Sequence, residues 1–408
     1  MVTFRQLWDE IAPIGRDPDT LGYLRYAFTQ PEQHLRDWFR DQAAQRGLVV
    51  EEDGNGNLFG WWNPTGAADA ATGDAPGVLT GSHFDSVPHG GAYDGPLGIV
   101  SALLAVDELR ARGVAPVRPI GIAVFAEEEG SRFGLACLGS RLLAGAVAPE
   151  AAAALRDRDG TTFAEAAGFT PKGHRPDLLA RIGCFVELHV EQGRSLVDSD
   201  RPVGVASAIW PHGRWRFDFA GEGNHAGTTL MTDRRDPMLT FAFTVLAANK
   251  EARLRGAHAT VGRVAVEPNA TNAIPAKVSA WLDARAATAS VVDELVAAVT
   301  AKASERAARD GTRISVTAES ISGETAFDVA LRDRIAALLG RNTKSSAPVL
   351  PTGAGHDAGV LSAHVPTAML FVRNPTGVSH SPAEFAPDAD CDAGIRALAD
   401  VLEELACR

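Results

Sequence analysis

The stretch GSHFDSVPHGGAYDG, residues 81–95, follows an apolar, β-prone run at 77–80 and carries His83, Asp85 and Asp94. Three later stretches repeat this arrangement of a strand-like run followed by metal-ligating residue types. Residues 122–126 lead into Glu128 and Glu129 of FAEEEGSRFG (125–134), residues 184–188 into His189 of ELHVEQG (187–193), and residues 368–372 into His380 of GVSHSP (377–382). If the four runs are neighbouring strands of one parallel sheet, their trailing ends converge on one crevice, where open α/β sheets place their chemistry. Between the first two, 97–112 has helical spacing and ends at Gly113, a fitting C-terminal stop, before the strand at 120–126. Strand, polar loop, helix, strand is the order of a parallel α/β sheet.

His83, Asp94, Glu129, His189 and His380 together offer imidazole and carboxylate, a mixture that suits Zn, Mn, Co or Ni better than Mg or Ca. Asp85, two residues after His83, is placed to take the second imidazole N–H and fix the ring. Asp94, beyond the Gly90-Gly91 bend, is placed to bridge two cations. Glu128 and Glu129 are adjacent at a strand end, so their side chains diverge and can take different tasks. One can bind metal while the other accepts a proton from water, the division of labour of a two-metal hydrolase. A lone histidine is more often structural than ligating, and a glutamate run is usually a solvated face. Four such groups, each behind a strand and together completing one ligand set, are hard to explain that way.

Competing chemistries lack their signatures. There is no G-x-S-x-G elbow, no G-x-G-x-x-G, no Walker-type loop and no H-E-x-x-H. A ligand-binding protein without catalysis and a nucleotide-binding α/β protein remain the other classes; the retained Glu128 speaks against the first. The formal charge is −12, and its cations form no block that could track phosphates, which argues against nucleic acid. Cys137, Cys184, Cys391 and Cys407 are scattered with no CxxC, so neither a thiolate zinc site nor a disulfide framework is expected. The N-terminal MVTFRQLWDEIAPIGRD lacks a secretory pattern and no apolar stretch approaches membrane-spanning length, so no membrane partner and a cytoplasmic location are expected.

At 408 residues the chain calls for two domains or a core with an insertion. Residues 20–46 read as one helix, 48–51 and 58–61 as a hairpin around GNGN, 64–76 as a surface loop, and the Ala-rich 144–155 as helix. From 215 the pattern changes: alternation at 215–219, helix at 238–253, alternation at 259–266 and 277–283, helix at 291–309, strand at 313–318. Strand, helix, strand, strand, helix, strand is the ferredoxin-like order. This α+β unit is placed at 207–322, and because His380 lies beyond it, it must be inserted into a metal-binding domain formed by 1–206 and 323–408.

These motifs, with GEGNHAGTT (221–229), NAIP (272–275) followed by DAR (283–285), and GAGHDAG (353–359), resemble the carbamoylase and allantoate-amidohydrolase branch of the M20 metallopeptidase-like family over nearly the full chain. The resemblance implies an α/β/α zinc-peptidase-like catalytic domain with a smaller lid and dimerisation domain, and a homodimer formed through that lid. It implies two divalent ions, one held by His83, Asp94 and His189, the other by Asp94, Glu129 and His380, with Glu128 as general base and Asp85 behind His83. Substrate-binding positions of the family match Gln192, His225, Asn272 and Arg285, some of which reach the partner's site. His225 would steady the developing oxyanion, and Arg285 would grip a carboxylate with its fork. The implied reaction is cleavage of a ureido C–N bond in a small ureido carboxylate, an N-carbamoyl-L-amino acid or, alternatively, allantoate or β-ureidopropionate. Leu230 and Ala276 depart from the residues common in relatives. Glu127 is read as outward-facing, His356, Asp357 and Ser379 as supporting residues, and His89, His212 and His364 as without a role.

Overall fold

The computed structural model describes residues 2–64, 76–341 and 346–408. The loop expected at 64–76 therefore lies almost wholly outside the described residues. The chain divides into two compact units, Met1–Ala208 with Ala326–Arg408, and Ile209–Thr325.

The first unit is built on a mixed sheet whose strands run, in spatial order, Val49–Glu52, Leu58–Trp62, Ile120–Phe125, Gly77–His83, Ile182–Val190, Thr367–Val372 and Val203–Ile209, then Thr325–Ala326. The four middle strands, Ile120–Phe125, Gly77–His83, Ile182–Val190 and Thr367–Val372, are parallel neighbours. Antiparallel strands flank them on both sides. The middle strands are buried on both faces, which is why they read as near-continuous apolar runs rather than alternating ones. Helix Pro96–Ala111 packs against the sheet beside Asp388–Ala406, and the former is buried almost all round. Its Leu97, Ile99, Val100, Leu103 and Leu104 join Val78, Ile120, Val186, Leu370 and Leu398 in one core. Each such fully buried side chain contributes roughly 1.5–3 kcal/mol.

The helix expected at 20–46 is shorter. It runs Gln30–Gln45, with a proline in its first turn, and the preceding residues form a fixed irregular segment. The reason is tertiary. Tyr23 pairs with Gly90, and the buried guanidinium of Arg25 donates to the carbonyls of Ile11 and Ile14 while lying 4.1 Å above the Tyr23 ring. A helix at Phe4–Ile11, opened by a Thr3–Gln6 capping box, went unread although Phe4, Leu7, Trp8 and Ile11 share one buried face. The helix expected at 144–155 is confined to Pro149–Ala153, because Ala144 ends a preceding helix, Leu138–Ala144, at the left-handed cap of Gly145, and Pro149 starts the next one.

The second unit contains a four-stranded antiparallel sheet in the order Arg313–Ser322, His212–Ala220, Lys277–Arg285, His258–Glu267. Helices Pro237–Arg255 and Ala289–Asp310 pack on each other and on the sheet. Alternation in His212–Ala220 buries Trp215, Phe217 and Phe219 against Leu295 and Val299. A short separate pair joins Asn224–His225 to Ala273–Ile274.

Candidate metal centre

Parallel strands deliver His83 and His189 to the same end of the sheet, and the loops after Phe125 and Val372 bring Glu129 and His380 there. Helix Pro96–Ala111 begins directly after Asp94, so one strand–loop–helix turn supplies both His83 and Asp94. Gly95, between Asp94 and the helix, is obligatory: its φ is +89°, and a Cβ there would meet His83 Cε1 at 2.5 Å and Nδ1 at 2.6 Å. The glycine is the floor on which the imidazole lies.

Two groups of potential ligands share Asp94. His83, Asp94 and His189 form one, and Asp94, Glu129 and His380 the other. Asp94 divides its oxygens between them. Oδ1 lies 3.6 Å from His83 Nε2 and 3.2 Å from His189 Nε2, whereas Oδ2 lies 3.4 Å from His380 Nε2, itself 3.3 Å from Glu129 Oε2. Ligand atoms about 2.0–2.2 Å from a tetrahedral ion stand roughly 3.3–3.6 Å from one another. The observed edges therefore have the size of coordination polyhedra.

Proton placement agrees. His83 Nδ1 sits 3.0 Å from the carbonyl of Asp85, and His189 Nδ1 sits 2.9 Å from that of Val190. A carbonyl can only accept, so both Nδ1 atoms carry a proton, and in the neutral rings both Nε2 atoms turn their lone pairs into the site. Those two Nε2 atoms and Glu129 Oε1 are buried without a hydrogen-bond partner. Electrostatics point the same way. Burial opposes charge on His83, yet Glu128, Asp94 and Asp85 outweigh it and push the imidazole well above its usual range. Burial likewise opposes charge on Asp94, but His189, His380 and His83 hold it well below the carboxylate range. Asp94 and Glu129 raise His380 to about 11. The cluster demands positive charge at its centre, and divalent cations satisfy that demand; the donor set and its spacing fit them.

Asp85 does something other than expected. Its carboxylate Oδ1 stands 3.6 Å from His83 Nδ1, too far to hold the ring, and the backbone carbonyl does that work instead. The carboxylate accepts the backbone N–H groups of Glu128 and Glu129, both at 3.1 Å. It thereby fixes the strand end that carries both glutamates. Glu127 is not outward-facing: it is fully buried. Its φ of +53° turns the side chain back into the protein, where Oε1 caps the N–H groups of Arg132 and Phe133 at 3.0 and 2.6 Å.

Glu128 belongs to none of the candidate ligand groups among the described residues. Its Oε1 takes a hydrogen bond from the Cys137 thiol at 3.3 Å, and its Oε2 lies 3.6 Å from His83 Nε2, at the edge of the first group. Burial, reinforced by Asp357, Glu129 and Asp85 against the pull of His83, raises its carboxyl well above the usual range. Gln192 donates to Asp94 Oδ2 at 2.8 Å and to Ser379 Oγ at 3.1 Å. His356 and Asp357 lie beside the cluster: the His356 ring is 4.6 Å from that of His189, and Ser140 donates to Asp357. Burial and the neighbouring His189 keep His356 neutral.

The other expected residues lie in the second unit. His225 and Asn272 come together through the short pair at Ala273–His225 and the 3.0 Å bond from Ala226 N to Asn272 O. His225 Nδ1 accepts the N–H of Gly227 at 3.1 Å, which puts the ring proton on the exposed Nε2. Arg285 is elsewhere, at the far end of Lys277–Arg285, paired with His212 and His258 in register. Its fork is held by Asp283, with Nε–Oδ1 at 2.7 Å and Nη2–Oδ2 at 3.0 Å. Eight residues of strand separate Arg285 from Lys277, roughly 26 Å at about 3.3 Å per residue. His225 lies beyond the Lys277 end, so one unit does not bring its Arg285 and His225 together.

Sequence reasoning passed over three residues. Glu187 accepts from Ser82 Oγ at 2.9 Å and Ala358 N at 3.0 Å behind His189, and its place two residues before His189 on the same strand face was a readable signal. Glu384 binds the backbone of Tyr93 and Asp94. Cys137, expected only to form no disulfide or thiolate site, donates its thiol to Glu128.

The profile of Peptidase family M20/M25/M40 matches residues 79–404, a span containing all of these groups. The chain belongs to that family. It is 36% identical over 426 residues to an N-carbamoyl-L-amino acid amidohydrolase of Geobacillus stearothermophilus, covering 100% of this chain and 99% of that one. It is 33% identical over 422 residues to the allantoate amidohydrolase of Escherichia coli, with the same coverages. A crystal structure of an amidase of the hydantoinase/carbamoylase family from Burkholderia vietnamiensis superposes with a TM-score of 0.89 at 32% identity, covering 100% of this chain and 98% of that one. This M20 chain is a hydrolase of the amidohydrolase type. Among its described residues no helix is long and apolar enough to cross a membrane.

Proposed function

We propose that this M20 hydrolase cleaves the ureido C–N bond of an N-carbamoyl-L-amino acid, giving the amino acid, ammonia and carbon dioxide. The observation that carries the reading is Asp94, one oxygen in each of two ligand groups, with the Glu128 carboxylate beside them and outside both. His83, Asp94 and His189 would hold one divalent ion, and Asp94, Glu129 and His380 the second. When bound, two such ions acidify water and polarise a carbonyl oxygen.

The protein's own groups then divide the remaining work. Glu128, tethered at Oε1 by Cys137, presents Oε2 to take a proton from the water that attacks the carbamoyl carbon. The same oxygen returns that proton to the amino nitrogen as the C–N bond breaks. His225 offers Nε2–H to the developing oxyanion, and Asn272 and Gln192 supply donors and acceptors for the ureido group. Arg285 grips the substrate carboxylate by exchanging it for Asp283.

The strand order of the second unit supports reading 207–322 as a ferredoxin-like lid and dimerisation domain, inserted between 1–206 and 323–408. The wide separation of Arg285 from His225 supports a homodimer, because a small ureido acid spans only a fraction of it. One of the two groups must then come from the partner copy. Allantoate is the second reading, favoured by the relative from E. coli and by the same carboxylate and ureido chemistry.

Ammonia release measured on Mn- and Zn-loaded protein with a panel of N-carbamoyl amino acids, β-ureidopropionate and allantoate tests the reading. The highest kcat/KM should fall on an N-carbamoyl-L-amino acid. A preference for allantoate would replace it with the second reading, and two bound ions without turnover of any of these compounds would reject both.

A further inference from the structure

Glu384 lies four residues beyond His380 and is 4% exposed. Its Oε1 accepts two backbone N–H groups, from Tyr93 at 2.8 Å and from Asp94 at 2.9 Å. Its Oε2 receives Ser379 Oγ at 3.2 Å, and that same hydroxyl lies 3.1 Å from Asp94 Oδ2. One carboxylate therefore fixes both the backbone that presents Asp94 and the loop that presents His380.

The neighbouring sequence is shaped around it. A Cβ on Gly91 would stand 2.3 Å from Glu384 Cδ and Oε1, so the second glycine of GGAYDG is needed to admit the carboxylate. Phe385 continues the clamp: its ring meets Tyr93 edge-on at 6.1 Å, while Trp8 stacks on Tyr93 at 4.6 Å from behind. Residues 384 and 385 thus grip residues 93 and 94 by backbone and ring respectively.

The second oxygen distinguishes this arrangement from a loop cap. A cap needs one acceptor, and Oε1 already serves both N–H groups. Ser379 has a single hydroxyl proton with two carboxylates in range, so it can satisfy Asp94 or Glu384 but not both. Gln192 Nε2 also reaches Ser379 Oγ and occupies one of its two lone pairs, and the single proton is what the carboxylates contest. When Glu384 takes that proton, Asp94 Oδ2 is left with the Gln192 donor alone and keeps more electron density for a cation that it would share with Glu129 and His380.

We propose that Glu384 is a positioning residue of the metal centre, holding the Asp94 backbone and drawing the Ser379 proton away from Asp94 so that this carboxylate can bridge two ions. The inference rests on the two-metal reading above. Groups behind metal ligands typically change metal affinity or activity by about 10–100-fold when removed.

The test compares Glu384→Gln, Glu384→Ala and Ser379→Ala with wild type. Zn and Mn affinities are read by competition with a chromophoric chelator, alongside kcat, KM and thermal melting of the metal-free proteins. Glu384→Ala should bind at least one of the two ions about 10–100-fold more weakly, with kcat reduced and KM within about threefold. Glu384→Gln keeps an oxygen for the two N–H groups, so its metal-free melting should stay near wild type. Its amide now donates to Ser379, which turns the hydroxyl proton onto Asp94, so metal affinity should still fall. Ser379→Ala should retain most of the affinity, because the contested proton is gone. Unchanged affinity in both Glu384 variants, with lowered metal-free melting alone, would reduce Glu384 to a loop cap and overturn the proposal. If Glu384→Ala does not fold, Glu384→Gln against Ser379→Ala decides. Wild-type protein that binds no ions would instead overturn the underlying two-metal reading.

Discussion

Replacing Gly95 by alanine isolates how finely the His83 ring must be placed. The new methyl would approach His83 Cε1 to 2.5 Å and the His83 carbonyl oxygen to 2.6 Å, whereas ordinary contact begins at 3.4 Å. Relief requires a displacement of 3.4 − 2.5 = 0.9 Å, and the rigid member is the backbone of a buried central strand, so the ring and the 95–96 turn must move. Side chains at φ +89° also cost about 1–3 kcal/mol, out of roughly 5–15 kcal/mol for a whole domain. Reacting groups displaced by 1 Å lose about a hundredfold in rate. Gly95→Ala should therefore remain folded, bind the ion on His83 more weakly, and lose about a hundredfold in kcat/KM for ureido hydrolysis. Gly113→Ala supplies the control: its φ is +70° but nothing lies within 4 Å of the added atom. It should show the backbone cost in a thermal melt and leave chelator-competition titrations unchanged. Gly95→Ala with wild-type metal affinity and activity within about threefold would refute the claim that this glycine sets the ring.

Glu128→Gln should retain both ions by metal analysis yet lose at least about a hundredfold in kcat, the lower range for removal of a general base; undiminished turnover would take Glu128 out of the mechanism. Exhaustive chelation should abolish ammonia release, with recovery on adding Zn, Mn, Co or Ni, and activity that survives complete metal removal would defeat the two-metal reading. Arg285→Ala should raise KM for ureido acids far more than it lowers kcat, and equal kinetics would assign the carboxylate anchor to another residue. Mixing Arg285→Ala with His225→Ala protein should restore part of the activity in the hybrid dimer, since one of its two sites regains both groups; the absence of any recovery after subunit exchange would argue against a shared site.

The grouping of the candidate ligands was legible because each lies on a buried parallel strand or on the loop that follows one, and such strands announce themselves as short apolar runs. His83, His189 and the loops bearing Glu129 and His380 follow directly from Gly77–His83, Ile182–Val190, Ile120–Phe125 and Thr367–Val372 being neighbours. The second unit was legible for the complementary reason: alternation in His212–Ala220 and Lys277–Arg285 reports strands with one face on a core. Residues 20–29 failed because their conformation is dictated by partners distant in sequence, Gly90 and the carbonyls of Ile11 and Ile14. Asp85 failed more subtly. Residue type and spacing suggested an imidazole partner, but a side chain two positions along the backbone reached Glu128 N and Glu129 N instead, while its carbonyl served the histidine.

Glu384 and Cys137 left no periodic trace in their own segments, yet their imprint lies in another place. GGAYDG contains a glycine at 91 where the Glu384 carboxylate stands and a glycine at 95 where the His83 ring lies. Both are steric shadows of side chains that act on Asp94 or beside it. A glycine flanking a metal-ligating residue is therefore more than a permissive turn: when no positive φ requires it, as at Gly91, something else must occupy the space of the missing Cβ. Asp94 Oδ2 already takes a hydrogen bond from Gln192 at 2.8 Å, so an acceptor such as Glu384 orders the Asp94 backbone without adding a further donor to its carboxylate. A buried donor in its place would compete for the oxygens that the two-metal reading assigns to cations.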